Sequence, residues 1–349
     1  MRRKRSMTTR LVSRLAAGAV SLAAAAMLAV TGTGSASATG GYATDTVGVG
    51  PEQTGFQQAF AYPFHDQAPA GANDWSCRPS AAHPRPVVLV HGTWEGAYST
   101  WARLSPALKK AGFCVFAQNY GRSDPLSGGG VLSVVPGLYG TGRVEDSAKQ
   151  LGVFVDRVLA ATGATQVDAV GHSQGGVVIR QYMRFGGGSH PADPAKNKIA
   201  HVVTFGATNH GTTVDGIGAL AATLRDAGVD IGPVTDILAG VSGEEQLVGS
   251  PFIRRLNAGG DTDPGVDYTA IATRFDQLST PYTATFLTAG PGATVHNVTV
   301  QDGCPFDFSD HSDLPFDPRA ISITLRALGV KTPLVCAFHP WNQDFGSTG

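Results

Sequence analysis

Charge is scarce in this sequence. Only 15% of its 349 residues are Asp, Glu, Lys or Arg, where about 25% is usual for soluble domains. Neither sign dominates, with 26 Lys and Arg against 27 Asp and Glu and a net charge of −1. No surplus of positive charge is available to neutralise phosphates, which disfavours a nucleic-acid binder. Cysteine is also scarce, with four residues and no C-x-x-C pair, so metal-ligand spacing is missing. No apolar run reaches the ~20 residues that span a bilayer. Mean hydropathy lies close to zero, which argues against a polytopic membrane protein. Glycine is the excess: 45 residues, about 13% of the chain, nearly twice ordinary usage.

The near-zero net charge averages two unlike pieces. Arg2, Arg3, Lys4, Arg5, Arg10 and Arg14 lie in the first 14 residues, which contain no acid. An Ala-rich apolar stretch from Leu15 to Val30 follows, then small residues ending in Ala36-Ser37-Ala38. Basic n-region, short h-region and A-x-A site read as a secretory signal peptide over 1–38. A membrane anchor would need a longer and more strongly apolar run. Arg2-Arg3 raises a twin-arginine export route alongside the general one. Removing these six basic residues leaves 20 against 27 acids, so residues 39–349 carry −7. That charge suits an extracellular protein and would repel anions such as fatty acids.

Export gives the cysteines a meaning. Cys77, Cys114, Cys304 and Cys336 form an even set that allows three disulfide connectivities. In an oxidising compartment the sequence-local pairing, Cys77–Cys114 and Cys304–Cys336, is the favoured one.

Strands alternate with helices along the rest of the chain. Residues 39–80 read as an extended lead-in. Short apolar runs at 86–91, 114–120, 166–171, 198–205, 266–272 and 293–300 read as strands. Helical spacing appears at 101–111, 143–161, 174–185 and 319–328, the second of these with Val144, Ala148, Leu151, Val155, Val158 and Leu159 on one stripe. Such alternation indicates an α/β fold: a mostly parallel central sheet with helices on both faces. Residues 206–265 break the rhythm. They hold helical pieces at 218–227 and 251–256 and read as a small insertion or cap over one end of the sheet. No repeat or composition shift divides 39–349, so one domain is expected.

The chemistry centres on Gly171-His172-Ser173-Gln174-Gly175. This G-x-S-x-G lies between a strand and a helix, the context that a nucleophile elbow requires. Ser173 would sit on a sharp turn with its hydroxyl exposed, and the helix N-terminus would face the place where an oxyanion forms. A serine nucleophile needs a base and an orienting acid, in the chain order Ser, acid, His. Six histidines follow Ser173. His190 lies in a polar loop, and His201 and His296 fall inside strands. His311, in a loop between the sixth strand and the last helix, is where the base belongs, with His210 and His339 as alternatives. Asp276, four residues past the fifth strand, is the candidate acid. Asp302, Asp307 and Asp310 are too near His311 in sequence and read as turn caps or solvated side chains. The oxyanion donors would be the N–H groups of Gln174 and Thr93, the latter in the loop His91-Gly92-Thr93-Trp94. His91 reads as a structural histidine. Trp94 and Tyr120 are candidate walls of a substrate pocket, and Trp94 reads equally as a buried core residue. No cofactor or metal is called for.

The segments PVVLVHGTW, CVFAQNYG, GHSQGG, FGATNHGT, DYTAIATRFDQLSTPYT and NVTVQDGCPFDFSDHSDLPFDP together resemble the secreted actinobacterial α/β-hydrolases of the lipase class 2 family. The resemblance runs from about Trp75 to Leu328. It implies an α/β-hydrolase fold, carboxylic ester hydrolysis, and a triad that falls on Ser173, Asp276 and His311. It also implies the disulfide pairing given above. The expected protein is a secreted monomeric lipase or esterase acting on lipid-like esters, with contact to a lipid interface. A polyester or cutin-type hydrolase and an acyltransferase would use the same triad. A binding protein with a vestigial site is disfavoured because every triad element is present.

Overall fold

Six strands form one sheet in the order β2-β1-β3-β4-β5-β6, and every neighbouring pair is parallel. The strands are β1 (Val87–Val90), β2 (Val115–Ala117), β3 (Val167–His172), β4 (Ile199–Phe205), β5 (Asp267–Ala272) and β6 (Thr294–Thr299). The computed structural model describes residues 46–63, 66–213 and 240–340, all within the compact unit Tyr42–Gly349. The expected signal segment 1–38 and the helical piece 218–227 lie outside the described residues.

Strands β1 to β5 are largely apolar runs because both faces are covered, whereas the edge strand β6 is mostly exposed or half-buried. In β1, Val88 and Val90 enter one core while Val87 and Leu89 enter the other. The first core is completed by α4 (Val144–Thr162), α5 (Gln174–Phe185) and α7 (Pro251–Asn257). The second is completed by α2 (Ala97–Trp101), α3 (Leu104–Lys110) and α8 (Pro318–Ala327). Two short helices, α1 (Phe56–Phe60) and α6 (Gly240–Glu245), lie outside this pattern. In α4 the expected stripe is buried except for Leu159, and Phe154 joins it. Glu145 and Asp146 occupy its first turn, where they favour the positive end of the helix dipole, and Gly163 caps its end at φ +74°.

Sequence periodicity suggested one helix over 101–111, and the structure has two. Pro106 cannot donate an N–H to the carbonyl four residues earlier, and that carbonyl, of Ala102, accepts Gln53 N–H instead. The second strand is also shorter than expected. Asn119 leaves it to accept Ala97 N–H through its side chain at 2.7 Å.

The lead-in covers the free edge of β2. The Asn73 side chain pairs with Ala117 as a peptide would, donating to its O and accepting from its N at 2.8 Å each. Cys77–Cys114 fastens this segment to the start of β2, and Cys304–Cys336 fastens the C-terminal segment to the loop after β6. With sequence separations of 37 and 32, each bond lowers the entropy of the unfolded chain by the equivalent of about 4 kcal/mol in the loop-closure model.

Strand order reverses between β1 and β3, and both carboxyl ends open at the same edge. In sheets of this kind the crevice beyond such a switch point is where ligands bind. Gly175, at the start of α5, lies directly against the end of β1. A Cβ there would come within 2.1 Å of Val90 O and 2.7 Å of His91 O, both backbone atoms. Gly175→Ala is therefore expected to destabilise the fold by about 3 kcal/mol, the upper end of the usual overpacking cost, read as a lower urea midpoint. An unchanged midpoint would mean that the close approach relaxes without cost.

Candidate active site

The turn after β3 is strained. Ser173 has φ +51° and ψ −122°, a region non-glycine residues rarely occupy, which costs of order 1–3 kcal/mol. Its N–H donates to Phe205 O at 2.9 Å, tying the turn to β4. Trp94, in the loop after β1, also has positive φ, +57°. That loop is pinned to residue 139 by Trp94 N–H donating to Tyr139 O at 2.8 Å and Tyr139 N–H donating to Glu95 O at 3.0 Å. Among the described residues, the backbone N–H groups of Thr93 and Gln174 donate to no acceptor. They are the two groups expected at an oxyanion site.

Asp276 and His311 meet at the same edge. His311 Nδ1 lies 2.9 Å from both carboxylate oxygens of Asp276, and both side chains are fully buried. Asp276 Oδ1 also accepts the N–H groups of Leu278 at 2.9 Å and Ser279 at 2.7 Å. His311 Nε2 is buried with no partner among the described residues. The ring lies 4.9 Å from that of His172, the residue before Ser173. Gly206, at φ +52°, underlies the pair: a Cβ there would lie 2.9 Å from Asp276 Oδ2 and His311 Nδ1. Burial alone would lower the His311 pKa. The Asp276 charge and hydrogen bond, with smaller contributions from Glu95 and Asp310, reverse this and raise it above its ordinary value.

The alternative histidines are occupied elsewhere. His210 faces Ala284 O and Asp261 Oδ1 at 2.8 and 3.0 Å. His339 is placed by main-chain pairing with Phe306 and Phe308 beside the second disulfide, and its own Nε2 has no partner among the described residues. His91 is a structural histidine. Its Nδ1 faces Gly92 O at 2.8 Å, its Nε2 accepts Tyr120 N–H at 3.2 Å, and burial holds its pKa down at about 4. Asp307 and Asp310 are buried turn caps, while Asp302 is exposed and pairs with Arg274.

Trp94 and Tyr120 depart from the pocket role expected of them. Both are fully buried. Trp94 packs with Tyr98, Leu132, Leu138, Leu278 and Phe316. Tyr120 stacks on His91 and gives its hydroxyl to the His91 carbonyl. Large apolar side chains after parallel strands go inward here, so these two support the loop from behind.

The segment expected as an insertion reaches the site through a residue that sequence reasoning missed. Gln246, just past α6, donates from Nε2 to Thr93 Oγ1 at 2.9 Å and accepts Thr208 Oγ1–H at 2.9 Å. Its neighbour Glu245 accepts Val144 N–H at 2.8 Å and so caps α4. Glu95 and His172 were missed as well. His172 Nδ1 lies 2.9 Å from Glu95 Oε2, and its Nε2 lies 2.9 Å from His311 O. The only signal for His172 was its place inside the elbow motif, and Glu95 had none. Among the described residues, no group of three or more His, Cys, Asp or Glu is placed to hold a metal ion.

Residues 84–318 match the model of the lipase (class 2) family. The chain belongs to this family. Triacylglycerol lipases of Pseudarthrobacter phenanthrenivorans and Burkholderia plantarii are each 33% identical over 137 residues. That span is 38% of this chain and 35% and 32% of those proteins, so the chain spans about a third of the length of the curated relatives it matches. Aspergillus fumigatus lipase B superposes with a TM-score of 0.52 at 18% identity, over 83% of this chain and 65% of that one. This likeness speaks for the fold, and the present member of the family has the α/β-hydrolase fold.

The Asp276 contact makes a prediction independent of any activity. Asp276→Asn removes the charge that outweighs burial, so the His311 pKa should fall below its ordinary value. NMR titration of the ring protons reads this directly. An unmoved titration would mean that Asp276 does not set it.

Proposed function

We propose that this class 2 lipase is an exported serine hydrolase of carboxylic esters that works through an acyl-enzyme. One observation carries the reading: a buried His311, held on Nδ1 by Asp276, keeps an Nε2 with no partner among the described residues, and its ring lies 4.9 Å from that of His172, the residue before the strained Ser173. A neutral imidazole held in that way has its lone pair on Nε2, ready to take a proton.

In this mechanism Ser173 Oγ attacks the ester carbonyl carbon while His311 Nε2 takes its proton. The N–H groups of Thr93 and Gln174 receive the oxyanion. Collapse breaks the C–O bond to the alcohol, which leaves with the proton from His311. Water, activated by His311 in turn, then hydrolyses the acyl-Ser173 ester. Asp276 fixes the tautomer and stabilises the imidazolium formed in each half-reaction.

Triacylglycerol lipases among the relatives support a lipid-like ester as substrate. Exposed Leu126, Val134 and Val248 lie on segments joined to the Thr93 loop through α6 and Gln246, which suits contact with a lipid surface. The two disulfides support an extracytoplasmic location. No helix of the described residues is long and apolar enough to cross a membrane.

Ser173→Ala is expected to lower hydrolysis of p-nitrophenyl esters by about 10⁴-fold or more, with the thermal midpoint little changed. Residual activity within tenfold of the parent would remove Ser173 from the mechanism. Rates across acyl lengths, with emulsified triglyceride and an added alcohol acceptor, separate lipase, esterase and acyl transfer. The exported protein should begin at Thr39, and intact-mass measurement of the secreted form checks that cleavage.

A further inference from the structure

Three buried histidines stand at the head of the sheet, and hydrogen-bond bookkeeping separates their charges. A neutral imidazole has one N–H and one lone pair. His91 fits this description, with one nitrogen facing a carbonyl and the other accepting an N–H. His311 fits it too, with Nδ1 on Asp276 and Nε2 free. His172 does not. Its Nδ1 faces Glu95 Oε2 and its Nε2 faces the main-chain oxygen of His311, each at 2.9 Å. Both partners only accept, and the ring is fully buried. Each nitrogen must therefore carry a proton, which makes the ring a cation.

We infer that ionised Glu95 and protonated His172 form a buried strut that positions the oxyanion loop and the base relative to each other. The inference deepens the ester-hydrolase reading and rests on it. At one end Glu95 Oε2 accepts Gly92 N–H at 3.0 Å and Thr100 Oγ1–H at 2.6 Å besides His172. With the Gly92 N–H turned inward, the next N–H, that of Thr93, is left without an acceptor among the described residues. At the other end His172 holds the main chain of His311 itself. Burial would raise the Glu95 pKa, but the charge of His172 and the three hydrogen bonds hold it down at about 2. The other ionisable groups around His172 are His91 at the end of β1, Asp276 after β5, and Asp310 and His311 on the loop before α8. Glu95 and His172 are positioning residues, since neither is placed to touch the reacting atoms.

In Glu95→Gln the amide oxygen can still accept the same donors, but the counter-charge is gone. The doubly protonated ring then has no opposite charge beside it, and the strut loses the ion pair that joins its two ends. Near neutral pH, kcat should fall about tenfold while KM stays within about twofold. The alkaline limb of the kcat profile should move down by about one pH unit or more. His172→Gln should lower kcat similarly without creating that limb, because glutamine has no proton to titrate. A phosphonate ester that labels the serine nucleophile counts competent Ser173 in each protein. Absence of label in the parent would remove the ester-hydrolase reading itself. Full labelling with a parent-like pH profile in Glu95→Gln would overturn the strut alone. Should the variants not fold, histidine ¹⁵N spectra of the parent at about pH 8 decide the matter. Two protonated ring nitrogens on His172 are expected, and one would overturn the inference.

Discussion

The start of α5 rests on the end of β1 with no side chain between them. Gly175 makes that approach possible, and the site is built outward from it. Because β1 and β3 are parallel neighbours, their following loops emerge side by side at one edge. The close approach then puts Gln174, the first residue of α5, next to the loop that holds Thr93. Gln174 Nε2 donates to Gly140 O at 3.1 Å, and Tyr120 donates to the His91 carbonyl. These bonds brace the same junction from two sides. A second close approach at Gly206, after β4, leaves room for Asp276 and His311 to meet above the backbone. Two missing side chains thus locate the Ser173 turn and the Asp276–His311 pair.

The local strain in this edge is supported by its surroundings. Of the described non-glycine residues, Asn73, Trp94 and Ser173 have positive φ, and two of these three belong to the site. Each such conformation costs about 1–3 kcal/mol and persists only where neighbours over-determine it. Ser173 is held by β3 pairing on β4 up to His172 and Phe205. Trp94 is held by the bridge to residue 139 and by a ring sunk in its own apolar cluster. The same burial that withdraws Trp94 from the cleft therefore keeps Thr93 in place.

Much of this was legible in the sequence, because strand–helix alternation and the elbow motif are local signals. All six strands lie where their apolar runs placed them, with ends trimmed where side chains such as Asn119 found other donors. Ser173 was singled out by the elbow motif and Asp276 and His311 by chain order and loop position, and the structure brings the last two into direct contact. Glu95, Gln246 and Gly206 were not legible. Their roles depend on which loops face one another across the sheet edge, at separations of 77 residues for Glu95 and His172 and 153 for Thr93 and Gln246. No periodicity records such a meeting. The inward turn of Trp94 and Tyr120 was hidden for the same reason, since an aromatic after a strand can face either the core or the cleft.

The loop that carries His311 has little regular structure, and its rigidity comes from its acids. Asp307 Oδ1 accepts Ser309 N–H and Oγ–H, and Asp310 Oδ1 accepts the N–H groups of Ser312 and Asp313. Asp317 caps α8 through Arg319 N–H and Ala320 N–H. Each carboxylate closes a turn that would otherwise leave buried N–H groups unpaired. The arrangement has an electrostatic cost. Burial, and then Asp307 beside it, push the Asp317 carboxyl up to about 7, so it favours the folded state most below the ordinary carboxylate range and gives that contribution up as the pH rises through 7. Glu95, held at about 2, works in the opposite sense, contributing above the ordinary carboxylate range and losing its effect only in strong acid. One acid braces the loop that bears His311 and the other braces the loop that bears Thr93. Their opposing pH dependences place the conditions under which both loops are well held between the two extremes.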